Sequence, residues 1–210
     1  MNQLSKTKKM VLIAVFAAIE VLLACTPLGF IPVGVTRATT VHIPVILGGI
    51  MLGPVAGAIL GGVFGITSVM INTFSPTITS FVFSPFYSVG AFGGNIYSLI
   101  VAIVPRVLIG VTASFTFSIL TKVDKTKIVA YLSAGIVGSM TNTILVMGGI
   151  YIFFGQSYAA SKEIAYESLF RFIMGVVGVN GVPEAIVAAI ITATIGKTLG
   201  STLMRNLNKE

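Results

Sequence analysis

The chain has 210 residues, of which 55% are hydrophobic and only 9% are charged, and its mean hydropathy is +1.02. This composition provides too little polar surface for a soluble fold of that size, so it excludes a soluble globular protein and indicates a polytopic membrane protein. The net charge is +7, but the basic residues flank apolar segments and form no patch with interleaved aromatic residues, which argues against a nucleic-acid-binding protein.

Three clusters of basic residues determine the predicted topology. They lie at residues 6–9, 122–127 and 197–209. Positively charged segments favour the cytoplasm, so an even number of spans must separate neighbouring clusters. The sequence therefore predicts an all-α integral membrane protein with six transmembrane helices, both termini in the cytoplasm, and one domain covering residues 1–210.

The first predicted span covers residues 10–26, and the next two share the apolar stretch 42–74. As one helix this stretch would be about 50 Å long, which exceeds the ~30 Å hydrocarbon core. The predicted break is Gly53-Pro54, because proline disfavours helix at the preceding residue and is favoured at the start of a new helix. The remaining predicted spans are 97–121, 127–154 and 183–204.

Glycines recur at four-residue intervals within the second and third predicted spans. In lipid, small residues at this spacing let helix backbones approach closely, so they predict a helix-packing seam, which Pro54 divides between two helices. The glycines are Gly49, Gly53, Gly57, Gly61 and Gly65.

The predicted outer connections are long, at residues 27–41, 75–96 and 155–181. The predicted inner turns are short by contrast. Loops of this length are uncommon unless they bind a ligand or cover a site, so we expect the function to lie on the extracellular side.

Four polar residues are predicted to lie in the outer half of the membrane: Glu20, Arg106, Asn142 and Glu184. A charge at the bilayer centre costs at least ~2.5 kcal/mol, so such residues are candidates for function. The Arg106 guanidinium could hold both oxygens of a substrate carboxylate, or it could form a structural ion pair with Glu20. Glu184 could contact substrate or complement the dipole of a helix that starts at Pro183. Asn142 could bind substrate or hydrogen-bond across helices.

Other candidate substrate contacts lie in or beside the outer loops. Arg37 could steer an anion inward, and Asn95 and Asn180 could supply polar contacts. His42 is the single histidine, so it cannot build a metal site alone, and a role at the helix start or membrane interface competes with a ligand role. Tyr87 is either a lid aromatic or an interfacial tyrosine.

The sequence contains no enzyme motif, and we expect no cofactor and no metal. Gly196-Lys197-Thr198 is similar to the end of a phosphate-binding loop, but Ile191 occupies the position of the required glycine. The single cysteine, Cys25, excludes an intramolecular disulfide and a multi-cysteine metal site. If transport requires ATP, a partner protein must supply the ATPase.

Several segments of the chain resemble the substrate-binding S components of energy-coupling factor vitamin transporters. Residues 42–49 read HIPVILGG, residues 52–57 read LGPVAG, and residues 182–185 read VPEA. Ala14 and Ala18 match the small-residue motif that faces the coupling protein in this family, although ordinary packing within the chain would also use alanines. The resemblance covers the whole chain, and the pantothenate-type members are the most similar.

This resemblance implies a subunit that binds its vitamin from outside with high affinity and topples in the bilayer to release it inward. A transmembrane coupling protein and two cytoplasmic ATPases would complete the transporter. The expected substrate is pantothenate, with its carboxylate on Arg106 and its amide and hydroxyls near Asn142, Glu184 and neighbouring asparagines. The closely packed glycine helices would serve docking and toppling. The alternatives are another vitamin or precursor, such as riboflavin, folate or a hydroxymethylpyrimidine, and a scaffolding subunit without a ligand.

Overall fold

The protein is a helical bundle in a computed structural model that describes residues 5–33 and 36–207, with the backbone alone at 30–33, 36–38 and 201–207. The helices are α1 (Lys6–Ala24), α2 (His42–Leu52), α3 (Pro54–Phe74), α4 (Ile96–Leu120), α5 (Ile128–Ser161), α6 (Leu169–Val176) and α7 (Val182–Leu207). A π-helical segment, Val177–Gly181, joins α6 to α7, so these two form one continuous helical path. Two antiparallel hairpins complete the fold: β1 (Phe30–Val33) with β2 (Thr36–Thr39), and β3 (Ser88–Val89) with β4 (Phe92–Gly93).

Six helical segments are therefore present, as predicted, but they differ in their capacity to cross a membrane. Within the described residues, four are long and apolar enough: Pro54–Phe74, Ile96–Leu120, Ile128–Ser161 and Tyr166–Gly200. The helix α2 has only 11 residues, so it is about 16 Å long and reaches about halfway through a ~30 Å hydrocarbon core. The helix α1 has 19 residues but includes three lysines near its start and Glu20.

The predicted break at Gly53 is confirmed, because α2 ends one residue before it and α3 begins at Pro54. Gly53 has φ 95°, in the left-handed region that is open to glycine and strained for other residues. Proline at the first helical position then starts α3 without losing a hydrogen bond. As a result, α2 and α3 fold back on each other as a helical hairpin.

The predicted glycine seam is confirmed for four of its five glycines and lies inside the chain, against α4, whereas Gly53 has no atom within 4 Å of its Cβ position. Gly49 of α2 and Gly57 of α3 both face the backbone of Gly110, and a Cβ atom on Gly57 would lie 2.7 Å from the Gly110 carbonyl carbon. A Cβ atom on Gly65 would lie 2.9 Å from the Cα of Ile103. Packing against α4 within the chain therefore accounts for these glycines, and the expectation that the closely packed helices serve docking and toppling stays a prediction.

The predicted loop at 155–181 is largely helical, which corrects the sequence-based boundaries. The helix α5 continues to Ser161, α6 begins at Leu169, and a turn with a short 3-10 segment joins them. The sequence predicts a loop at Gly155, but this residue lies within α5, where a Cβ atom would approach the Tyr166 ring to 2.9 Å. The glycine therefore permits close packing of the returning chain against a continuous helix.

Both hairpins lie at one end of the bundle, which we call the loop end. The ends of α1, α3 and α5 and the starts of α2 and α4 lie there, whereas the turn between α4 and α5 lies at the opposite end. The segment 75–95 folds inward at the loop end: Phe81 is fully buried and packs edge-on against Phe154, with ring centroids 5.9 Å apart. The described residues form two buried apolar clusters, and the second one joins this segment to α4, α5 and α6.

Candidate functional site

Arg106 is a buried cation beside two aromatic rings, in the half of α4 that is nearer the loop end. It is 7% exposed, and one of its terminal nitrogens, Nη1, donates a hydrogen bond of 2.8 Å to the carbonyl oxygen of Val101. The guanidinium carbon lies 5.5 Å from the ring centroid of Phe64 and 5.2 Å from that of Phe83, which are cation–π distances. Its Nε has no hydrogen-bond partner among the described residues. The guanidinium therefore keeps donor capacity for an anion.

Glu20 does not supply that anion in this structure. Its side chain is fully buried on the face of α1 that also carries Phe16 and Ala24. Neither carboxyl oxygen has a hydrogen-bond partner among the described residues, so the ion pair with Arg106 that the sequence left open is not formed.

A second set of polar atoms without partners lies on α2 and α5. His42, the first residue of α2, is 1% exposed, and neither of its ring nitrogens has a partner in the described part of the chain. The same holds for Oδ1 of Asn142 and for Oγ of Ser139, both on α5. Buried polar atoms are normally hydrogen-bonded, and those left over mark places where water or a ligand binds.

Helix register places His42 and Asn142 at the same height along the axis of the bundle. A Cβ atom on Gly138 would lie 2.8 Å from Cγ1 of Ile46, which fixes one contact between α5 and α2. The helix α2 starts at the loop end, whereas α5 runs toward it. His42 and Asn142 are therefore each one turn nearer the loop end than this contact, on facing sides of the two helices.

Glu184 anchors the first hairpin. Its Oε1 accepts a hydrogen bond of 2.9 Å from the backbone N–H of Thr39, the last residue of β2. Because the helical path continues from Leu169 through the π-helical segment, Glu184 follows no free helix N-terminus, and a dipole role does not apply. Pro183 lacks an N–H and would crowd the preceding turn, which the wider π-helical segment accommodates.

The remaining predicted contacts take different positions. Asn95 is exposed and caps α4, where its Oδ1 accepts a 2.8 Å hydrogen bond from the N–H of Tyr97. Asn180 is half-buried in the π-helical segment, and Tyr87 packs against the second apolar cluster. Arg37 lies on β2, and its side chain lies outside the described atoms.

Ala14 and Ala18 lie on the exposed face of α1, opposite the buried residues Phe16 and Glu20. Packing within the chain therefore does not occupy them. The sequence reasoning missed Phe64, Phe83 and Ser139. Ser139 lies three residues before Asn142, a spacing that shares a helix face and could have indicated it. Nothing in the spacing of the two phenylalanines indicates their contact with Arg106.

Comparisons with known proteins agree with this architecture. Residues 8–196 match the family described as "ECF transporter, substrate-specific component", in which ECF denotes the energy-coupling factor. The chain is 35% identical over 194 residues to the pantothenic acid transporter PanT of Lactococcus lactis subsp. cremoris (strain MG1363), covering 88% of this chain and 96% of that protein.

The fold is similar to that of the S-component for biotin from an ECF-type ABC transporter. The TM-score is 0.56 at 16% identity, over 96% of this chain and 95% of the other. At that identity the likeness concerns the fold alone. The match over most of the chain and the relative at 35% identity show that this protein belongs to the ECF transporter substrate-specific components, multi-pass membrane proteins that act as transport subunits and not as enzymes.

Proposed function

We propose that this subunit binds pantothenate with high affinity and delivers it for ATP-driven uptake. The observation that carries the proposal is the buried Arg106 guanidinium, which has donor capacity left and no carboxylate partner among the described residues. The relative named as a pantothenic acid transporter supports this choice of anion. Pantothenate carries one carboxylate, one amide and two hydroxyl groups, so it matches a site with one cation and several neutral polar groups.

The carboxylate of pantothenate is expected to meet the guanidinium of Arg106. Phe64 and Phe83 flank this group, and an apolar surrounding strengthens a charge-assisted hydrogen bond because water competes less. The amide and hydroxyl groups would extend toward Asn142 and the start of α2. In this arrangement Glu184 holds the hairpin at the loop end and does not touch the substrate.

The loop end is expected to face the outside of the cell, with both termini in the cytoplasm, because the basic residues at 6–9 and 122–127 and Lys197 lie toward the other end of the bundle. The exposed pair Ala14 and Ala18 would contact a transmembrane coupling protein, and two cytoplasmic ATPases would supply the energy. Toppling of the whole subunit in the lipid bilayer would then present the bound vitamin to the cytoplasm.

Isothermal titration of the purified protein with pantothenate tests the assignment. We expect Arg106→Ala to weaken binding by about 30-fold or more, because the substrate carboxylate would then be buried without a partner. Arg106→Lys keeps the charge but loses the planar fork, and it should restore binding in part. The matched control is Arg171→Ala, since Arg171 is exposed on α6. Tight binding that Arg106→Ala leaves unchanged would contradict the proposal.

Mass spectrometry of small molecules released from the purified protein provides a second test that assumes no ligand. Pantothenate in the released fraction supports the proposal. Recovery of riboflavin, folate or a hydroxymethylpyrimidine instead would favour an S component for another substrate.

A further inference from the structure

Besides Arg106, five side chains of the described residues have buried nitrogen or oxygen atoms without a partner, and three of the five lie together where α2, α5 and α7 meet. They are His42, Ser139 and Asn142, and each has at least one buried nitrogen or oxygen without a partner among the described residues. His42 and Ser139 are each 1% exposed. Leaving such atoms unsatisfied is costly, so three of them on neighbouring helix faces require an explanation.

Packing contacts place Ser139 beside α7. A Cβ atom on Gly135 would lie 2.7 Å from the Cα of Ala189, and one on Gly181 would lie 2.7 Å from Cγ2 of Thr143. Ser139 is one turn from Gly135 and one turn from Thr143, so it lies between these two contacts on the same face of α5. Because α2 packs against both α5 and α7, the three polar side chains lie where these three helices meet.

The chemistry of these groups is neutral and mixed in hydrogen-bonding character. A neutral imidazole offers one donor and one acceptor, a serine hydroxyl offers both, and Oδ1 of asparagine is an acceptor. Glycine, alanine and isoleucine line the surroundings, including Gly138 and Ile46. A hydroxyl group donates and accepts at once, so it can satisfy such a set, whereas a carboxylate would be left without a cation.

From this arrangement we infer that His42, Ser139 and Asn142 form a hydroxyl-recognition subsite in which α2 takes part in substrate selection. The inference rests on the proposed function, because the hydroxyls are those of a substrate whose carboxylate binds Arg106. His42 and Asn142 bind the hydroxylated end of the substrate from facing helices, and Ser139 completes the set from the side of α7. The subsite selects pantothenate over analogues that lack a hydroxyl.

A cycle that combines protein variants with ligand variants tests the subsite. Pantothenate and its two monodeoxy analogues, each lacking one hydroxyl, are titrated into the wild type, Ser139→Ala and His42→Gln. We expect each substitution to weaken pantothenate binding by about 10-fold, the value of one net hydrogen bond with a desolvated partner. The same substitution should change the affinity for at least one deoxy analogue by less than 2-fold, because that analogue lacks the hydroxyl that makes the hydrogen bond.

Thr192→Val is the matched control. Thr192 is fully buried on α7, and its Oγ1 has no partner among the described residues, so the substitution also removes a buried hydroxyl without a hydrogen bond. It lies about two turns farther from the loop end than the level of Ser139. We expect equal, small effects of Thr192→Val on all three ligands, and thermal unfolding of each variant verifies that the fold is retained.

Either of two results of this cycle would overturn the inference. One is an equal loss of affinity for pantothenate and both deoxy analogues in Ser139→Ala and His42→Gln. The other is a loss of affinity in Thr192→Val that is larger for pantothenate than for a deoxy analogue. If His42→Gln does not fold, the Ser139→Ala cycle decides the question. Failure of the wild type to bind pantothenate would overturn the proposed function and the subsite together. If pantothenate binding depends on Arg106 but Ser139→Ala and His42→Gln affect all three ligands equally, the subsite alone is overturned.

Discussion

At the residue scale, the hydrogen bond between Glu184 and Thr39 determines how the first hairpin attaches to the bundle. It joins residues 145 positions apart in the chain and connects β2 directly to α7. The start of α2, with His42, follows β2 within three residues. The attachment of the hairpin therefore also affects the position of the first turn of α2.

Glu184→Ala should loosen the hairpin, because the N–H of Thr39 then loses its acceptor. A hydrogen bond to a charged group contributes about 1.5 to 3 kcal/mol, so amide exchange in residues 36–41 should accelerate by about 10-fold or more. Hydrogen–deuterium exchange measured by mass spectrometry reports this directly. Glu184→Gln keeps an Oε1 acceptor but loses the charge, so its acceleration should be smaller than that of Glu184→Ala. Equal acceleration in both variants would mean that the charge matters and the hydrogen bond does not.

At the element scale, the crossing of α2, α3 and α4 depends on glycines whose backbones touch. Gly110 has Gly57 on one side and Gly49 on the other, so three helices approach without side chains between them. Such close approach favours van der Waals packing, which is the main attraction between helices in lipid.

Gly57→Ala should destabilise the bundle, since its Cβ atom would lie 2.7 Å from backbone atoms of Gly110 that cannot rotate away. Overpacking of this kind costs about 1 to 3 kcal/mol and should lower the midpoint of thermal unfolding in detergent by several degrees. Gly62→Ala in the same helix is the control, because nothing lies within 4 Å of its Cβ position. The control should be neutral or stabilising, as alanine favours helix. Equal midpoints for the two variants would contradict close packing at Gly57.

Sequence periodicity predicted these elements unevenly, for physical reasons. The glycine spacing and the proline at position 54 are local signals, and they located the seam and the break correctly. At 155–181 the glycines and tyrosines were interpreted as a loop, although Gly155 makes room for Tyr166 against a continuing helix. A glycine can end a helix, or it can let another segment pack closely against a continuing helix. Which of the two occurs depends on a contact with a distant residue, and a single sequence does not show that contact.

The candidate site also combines features that the local sequence shows with contacts between residues that are distant in the chain. Hydropathy indicated Arg106 and Asn142, because a polar residue inside an apolar segment is visible locally. The partners of Arg106 were not visible: Phe64 lies on another helix and Phe83 in a connecting segment. Glu184 was identified as a residue of interest, but its role depends on a hairpin whose position follows only from the fold.

At the scale of the whole molecule, the two faces of α1 differ in what they contact. One face packs into the bundle through Phe16 and Ala24, whereas Ala14 and Ala18 remain exposed. Transport by this subunit requires contact with other proteins, so substitutions on the exposed face should separate substrate binding from uptake.

The double substitution Ala14→Leu and Ala18→Leu should leave pantothenate affinity of the isolated subunit unchanged but reduce uptake by about 10-fold or more. The larger side chains keep the partner helix from approaching closely. Titration of the purified subunit and uptake in cells that contain the full transporter measure the two effects. Ala160→Leu, at an exposed alanine near the end of α5, is the control. Undiminished uptake in the double variant would exclude this face as the contact.

The contact of Gly110 with two other glycines has a consequence for the thermodynamics of ligand capture. No rotamer change can alter the spacing of the three helices at that point, because no side chains separate them. Arg106 lies one turn from Gly110 on the same helix, so its backbone is preorganised before any substrate arrives. The proposed substrate contact at this cation therefore requires no rearrangement of the helices that carry it.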